Sequence, residues 1–242
     1  MALLSALRPI SSTSAPGSRN LITVLSRALI ARHPGAVIDH EAAEARVATN
    51  AAAKRAVLSD WRFYAMLGMM WPLPFIGTGI IFFQAVIAEG RGWSPAVFPT
   101  GFMVFAAVRA VCSLSAGAWV DRLGAVRLLA APAFLCAAAL AFLLRPEPVW
   151  AYVFFAVLGM SFGSSGAVGT AAWTELFGAA RIGTIRAMSS AFAVFTTALA
   201  PVVFGLALEH GVPVEGIVLA CAVLLLAVSW PLSLAVRRTV RA

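Results

Sequence analysis

The sequence predicts an all-α protein, a polytopic integral membrane bundle of six transmembrane helices. Hydrophobic residues make up 61% of the 242 residues and charged residues only 12%, with a mean hydropathy of +0.91. That is too apolar for a soluble domain, whose surface must be wetted. Six apolar stretches each approach the roughly twenty residues needed to cross about 30 Å of hydrocarbon. The arginines gather at the ends of those stretches, so the net charge of +8 reads as membrane topology. A nucleic-acid binder would instead carry its basic residues in exposed clusters.

Taken in order, residues 1–60 form a polar, basic leader, expected to be cytoplasmic and partly disordered. It holds a Pro, Ser and Gly-rich stretch from Ser11 to Ser18 and a helix-favouring run from Ala42 to Leu58. Its first 38 residues contain Arg8, Arg19, Arg27 and Arg32 and no acid, which is also the composition of a mitochondrial transit peptide. A mitochondrial membrane is therefore the alternative to a plasma (inner) membrane.

The membrane domain covers 61–238, with spans near 63–87, 96–119, 125–144, 149–172, 187–208 and 215–236, and a basic tail follows at 239–242. The first span contains Trp71-Pro72-Leu73-Pro74-Phe75 and then Gly77, Thr78 and Gly79, a combination that bends a helix and frees backbone carbonyls. In the second span Arg109 lies near the centre, where a charge needs a partner, a wet cavity or an anionic ligand. The opposing reading is an arginine that snorkels or bonds helix carbonyls. Along the fourth span run Gly159, Ser161, Gly163, Ser164, Ser165, Gly166 and Gly169, small residues whose spacing of four favours close helix packing over a binding site. Cys112, Cys136 and Cys221 fall inside apolar runs, which implies buried thiols and neither a disulfide framework nor a metal site. No phosphate-binding loop, HExxH or EF-hand pattern occurs, so no metal or cofactor is expected.

Orientation follows from the short loops. With the N-terminus inside, the inner segments hold Arg122, Arg127, Arg181, Arg186, Arg237, Arg238 and Arg241. The outer loops hold only Arg91 and Arg145, along with Glu89, Glu147, Glu209 and Glu215. Both termini are expected in the cytoplasm.

Two inner loops carry the most specific strings. Gly117-Ala-Trp-Val-Asp121-Arg122-Leu-Gly124-Ala-Val-Arg127 joins the second and third spans, and Glu175-Leu-Phe-Gly178-Ala-Ala-Arg181-Ile-Gly183-Thr-Ile-Arg186 joins the fourth and fifth. The former resembles the signature loop of the major facilitator superfamily, with Ala125 where that family commonly has arginine. The latter is similar to the loop between the tenth and eleventh helices of the same superfamily. The resemblance covers residues 61–238 and implies the C-terminal six-helix half of such a transporter, built as two three-helix repeats. Gly117, Asp121, Arg122, Gly124, Arg127, Glu175, Arg181 and Arg186 would then form conformational-switch loops. The expected ion pairs join Asp121 to Arg181 or Arg186, and Glu175 to Arg122 or Arg127.

The resemblance also implies that the first and fourth spans line a pathway, which makes Trp71, Phe75, Thr78, Ser161 and Ser164 candidate substrate-binding residues beside Arg109. The function implied is secondary transport of a small organic solute by alternating access, with no enzymatic activity. Arg109 favours an organic anion such as a monocarboxylate. The partners are the lipid bilayer, the solute, and a second copy or a complementary half, with no nucleic acid. An alternative is a non-transporting truncated half, or one that modulates a full-length relative. Gly163-Ser164-Ser165-Gly166 also fits the Gly-x-Ser-Gly string of rhomboid proteases, a lesser alternative, because His210 is the only histidine beyond the leader and that chemistry needs one near the serine.

Overall fold

The computed structural model describes residues 54–241, so the expectations for residues 1–53 lie outside the described residues. The described chain is all-helical, with six helical segments long and apolar enough to cross a membrane. The first span, Trp61–Phe82, consists of α1 (Trp61–Met70) and α2 (Pro72–Phe82), followed by the short α3 (Gln84–Gly90). The second is α4 (Val97–Leu123). The third comprises α5 (Ala125–Leu128) and α6 (Ala131–Leu143), and the fourth is α7 (Pro148–Phe177). A single 3-10 turn, Ala179–Arg181, opens the fifth span and leads into α8 (Ile182–Glu209), while α9 (Val214–Arg241) carries the sixth.

Several helices outrun the apolar stretches that predict them. The fourth reaches Phe177 and the sixth Arg241, past the expected 172 and 236. Hydropathy marks only the part that lies in hydrocarbon, whereas a helix satisfies its own backbone wherever it continues. The first span is interrupted where Pro72 and Pro74 cannot donate to the carbonyls of Gly68 and Met70. Asp60 caps its start by accepting from the Arg62 N–H at 2.9 Å and also pairs with the Arg62 guanidinium. That guanidinium lies over the Phe177 ring, joining the start of the first span to the end of the fourth.

The hairpin between the second and third spans and the one between the fourth and fifth each turn on one glycine. Gly124 has φ 83° and ψ 139°, and Gly178 has φ 78° and ψ 156°, a left-handed region that disfavours any Cβ. Each donates its N–H back to the preceding helix, Gly124 to Val120 O at 2.8 Å and Gly178 to Thr174 O at 2.9 Å. The two turns thus share one geometry.

Helix packing follows a simple order. The second span lies chiefly on the fourth, the fourth also on the third, the third on the sixth, the sixth on the first, and the first on the fifth. Exchanging each span with the one three positions away maps this set of neighbours onto itself. The second and fourth spans meet almost backbone to backbone. A Cβ at Gly159 would sit 2.8 Å from Phe105 O, and one at Gly163 would sit 2.7 Å from Arg109 O. The glycines four apart therefore serve close packing. Two apolar clusters fill the bundle. One, toward the hairpin edge, includes Met66, Trp173, Ile185 and Val236. The other, toward the opposite edge, includes Ile76, Leu140, Phe154 and Leu225.

At that opposite edge the loops are tied together by Arg91. Its guanidinium donates to Leu144 O at 2.8 Å and pairs with Glu215 at 3.2 Å. Trp93 adds a hydrogen bond from its indole N–H to Pro146 O at 2.6 Å.

Candidate functional site

Where the two apolar clusters meet, a half-enclosed cavity of about 340 Å³ opens between the first, third, fourth and fifth spans. Its position follows from the interrupted first span. Met69, Met70, Trp71 and Pro74 line one wall where α1 gives way to α2. Pro132 at the start of α6, Phe162 and Ser165 of α7, and Ser189 and Phe192 of α8 supply the others. The lining is apolar with a few hydroxyl groups, the usual make-up of a small-molecule site. Ser165 donates to Phe162 O at 2.9 Å and Ser189 to Arg186 O at 3.2 Å, so both hydroxyls are internally engaged but keep acceptor capacity.

Of the residues expected to bind substrate, the cavity takes in Trp71 alone. Phe75 is a core side chain, edge-on to Trp71 at 5.5 Å and to Phe204 at 5.9 Å. Thr78 is half-buried and outside the lining. Ser161 is fully buried and donates to Pro132 O at 2.7 Å, holding the fourth span to the third. Ser164 bonds to the carbonyls of Met160 and Ser161 in its own helix. Helical position puts these residues at the right depth, but each points away from the cavity because one face of a helix spans only part of its circumference.

Arg109 is exposed and lies outside the cavity lining, with its guanidinium 5.8 Å from the centre of the Phe105 ring. Among the described residues it forms no ion pair. Phe105 in turn packs edge-on against Phe162 at 5.8 Å, so a single ring separates Arg109 from the cavity wall. Sequence reasoning misses Phe105, Phe162, Pro132 and the Ser189-Ser190 pair. For the last of these, adjacent hydroxyls inside an otherwise apolar span are the signal that could have found them.

At the hairpin edge the expected ion pairs are absent among the described residues. Asp121, Arg122, Arg127, Arg181 and Arg186 are exposed. Glu175 instead accepts from the backbone N–H groups of Ala125 at 3.0 Å and Val126 at 3.3 Å. The turn at Gly124 leaves those donors free at the start of a helix, where a carboxylate satisfies unpaired N–H groups and faces the positive end of the helix dipole. Arg237 of the sixth span completes the junction by donating to the carbonyls of Val126 and Arg127. The two hairpins thus meet through Glu175 and the Ala125 and Val126 amides, not through the expected arginines.

Ser165 bonds to its own helix. His210, at the far end of the fifth span, faces Leu206 O at 2.8 Å. No protein-family profile, curated protein or solved structure matches the chain.

Proposed function

We propose that this bundle is one six-helix half of a secondary transporter of the facilitator kind, moving an organic anion by alternating access across a second six-helix unit. The observation that carries the reading is the half-enclosed cavity beside the interrupted first span, bounded by the first and fourth spans and half-way along them. Interrupted helices facing a cavity are how transporters expose backbone polarity at membrane depth.

Two further features support a pair of three-helix repeats. The neighbour set is unchanged when the first three spans exchange with the last three, and Gly124 and Gly178 make equivalent turns. The need for a second unit is supported by exposure. Only 17% of the apolar window is buried in the second and in the fifth span, against 56% in the first and third. Arg109 lies on that open second span. A second copy of the chain or a complementary half would cover it, in a plasma membrane with both termini cytoplasmic. The Glu175 and Arg237 junction serves as a latch in this state, made in one conformation and released in another.

The test is solute counterflow in vesicles containing the purified full chain, alone, with labelled organic anions. Saturable counterflow that Arg109→Gln abolishes is the expected result. Vesicles that retain folded protein yet show no flux for any anion would reject transport by copies of this chain alone, and absence of flux with a complementary six-helix half as well would favour the non-transporting alternative.

A further inference from the structure

Resting on that transport reading, we infer that the ligand is an amphipathic organic anion, whose apolar body fills the cavity between the first, fourth and fifth spans while its carboxylate pairs with Arg109. The cavity and the cation make complementary demands. No charged side chain lines the cavity, and of its three serine hydroxyls those of Ser165 and Ser189 already donate within their own helices, which leaves Ser190 as a single neutral donor. A small hydrophilic carboxylate placed there would lose its water without gaining a cation, a costly exchange. The volume of about 340 Å³ equals that of roughly eleven waters at ~30 Å³ each. Such a space suits an aryl or alkyl body, and Trp71, Phe162 and Phe192 supply aromatic walls.

Arg109 has the opposite need. It is near the middle of α4, exposed, and without an acid among the described residues, in a place where an uncompensated charge is unfavourable. Its backbone is fixed, because Gly159 and Gly163 of the fourth span pack directly on it. Its guanidinium is held over Phe105, and Phe105 abuts Phe162 of the cavity wall. One cation-to-ring step and one ring-to-ring step, each of 5.8 Å, thus connect the guanidinium to the ring that walls the apolar space. A ligand lying along Phe105 and Phe162 meets both, with charge at one end and apolar surface at the other.

The experiment is calorimetric titration of the full chain in phosphatidylcholine nanodiscs with 6-phenylhexanoate, 6-phenylhexanol and acetate. The carboxylate should bind saturably and at least tenfold more tightly than either comparison ligand. Arg109→Gln should weaken it at least tenfold and Arg109→Lys less. Gly166→Leu, at a cavity-lining position where an added Cβ meets nothing within 4 Å, should abolish binding without lowering the melting temperature. Equal binding of the alcohol, with Arg109→Gln silent, would make the cavity a site for neutral molecules and overturn the proposal. Equally tight acetate, or no saturable binding at all, would do the same. Loss of binding when phosphatidylglycerol replaces phosphatidylcholine would assign the site to lipid and overturn it too. Saturable binding without counterflow in vesicles would reject the transport reading alone, whereas counterflow of acetate with no binding of phenylhexanoate would reject this inference alone.

Discussion

Replacing Gly163 with alanine probes whether the second and fourth spans are held by direct backbone contact. The new Cβ would lie 2.7 Å from the Arg109 carbonyl oxygen and 2.8 Å from Cys112 Cβ, whereas ordinary contact begins at 3.4 Å. Neither neighbour is the end of a flexible side chain, so the helices must part by about 0.7 Å, the shortfall at the carbonyl. A gap of that size forfeits roughly a quarter to a half of the dispersion energy of each contact it opens, and overpacking of this kind costs about 1–3 kcal/mol. The better helix propensity of alanine returns about 0.5–1 kcal/mol, leaving a net destabilisation of about 0–2.5 kcal/mol, or about 1–3 kcal/mol relative to an unhindered glycine-to-alanine change. Gly117→Ala is the internal control, since it lies on the partner helix and its Cβ meets nothing within 4 Å. It should be neutral or stabilising. Reversible unfolding in mixed micelles measures both variants. Gly159→Ala would lie 2.8 Å from Phe105 O, and the same separation relieves both clashes, so the double variant should cost less than the two singles combined. If Gly163→Ala matches Gly117→Ala in stability, the close approach does not hold the spans together and the reasoning fails.

Glu175→Ala should cost about 0.5–2 kcal/mol of unfolding free energy by unsatisfying the Ala125 and Val126 amides, and Glu175→Gln less, with the difference shrinking at high salt. Equal effects of the two variants at all salt concentrations would show that the carboxylate charge is irrelevant. Arg91→Ala should cost about 1–3 kcal/mol, because the donor to Leu144 O and the partner of Glu215 disappear together. Glu215→Gln should cost less, as its carboxylate is largely exposed, and thermal denaturation orders the two. The Arg62 side chain, by donating to the Asp60 carboxylate, holds that acid below its ordinary range. A depressed acid stabilises the fold above its unfolded value near 3.8 and loses that contribution as pH falls through its lower folded value. Asp60→Asn should therefore flatten the acid limb of stability against pH, and an unchanged limb would refute the assignment.

Much of this architecture is legible in the linear order of residues. A transmembrane helix bonds its own backbone and meets lipid rather than a specific neighbour, so a run of apolar residues is sufficient to locate it. For the same reason Pro72 and Pro74 announce the interruption of the first span, and Gly124 the turn of the hairpin, since each acts on the backbone within a few residues. What lies beyond local reading is the direction in which side chains point and what they meet. Gly159 and Gly163 signal close approach, but only the packed bundle identifies Arg109 and Phe105 as the backbone they touch. Ser161 sits at the depth of a pathway residue, yet its hydroxyl is spent on a carbonyl 29 positions away. Charge alone matches Glu175 with arginines. It bonds instead to amides some 50 positions away, because unpaired helix N–H groups close at hand compete better for a carboxylate than exposed guanidinium groups that water already solvates. Span number, kink and turn are properties of the chain near each residue, and the amino-acid order alone decided them. Which faces meet, where a cavity is left between them, and which partner each polar group takes depend on contacts between residues far apart in sequence, and only the folded bundle decided those.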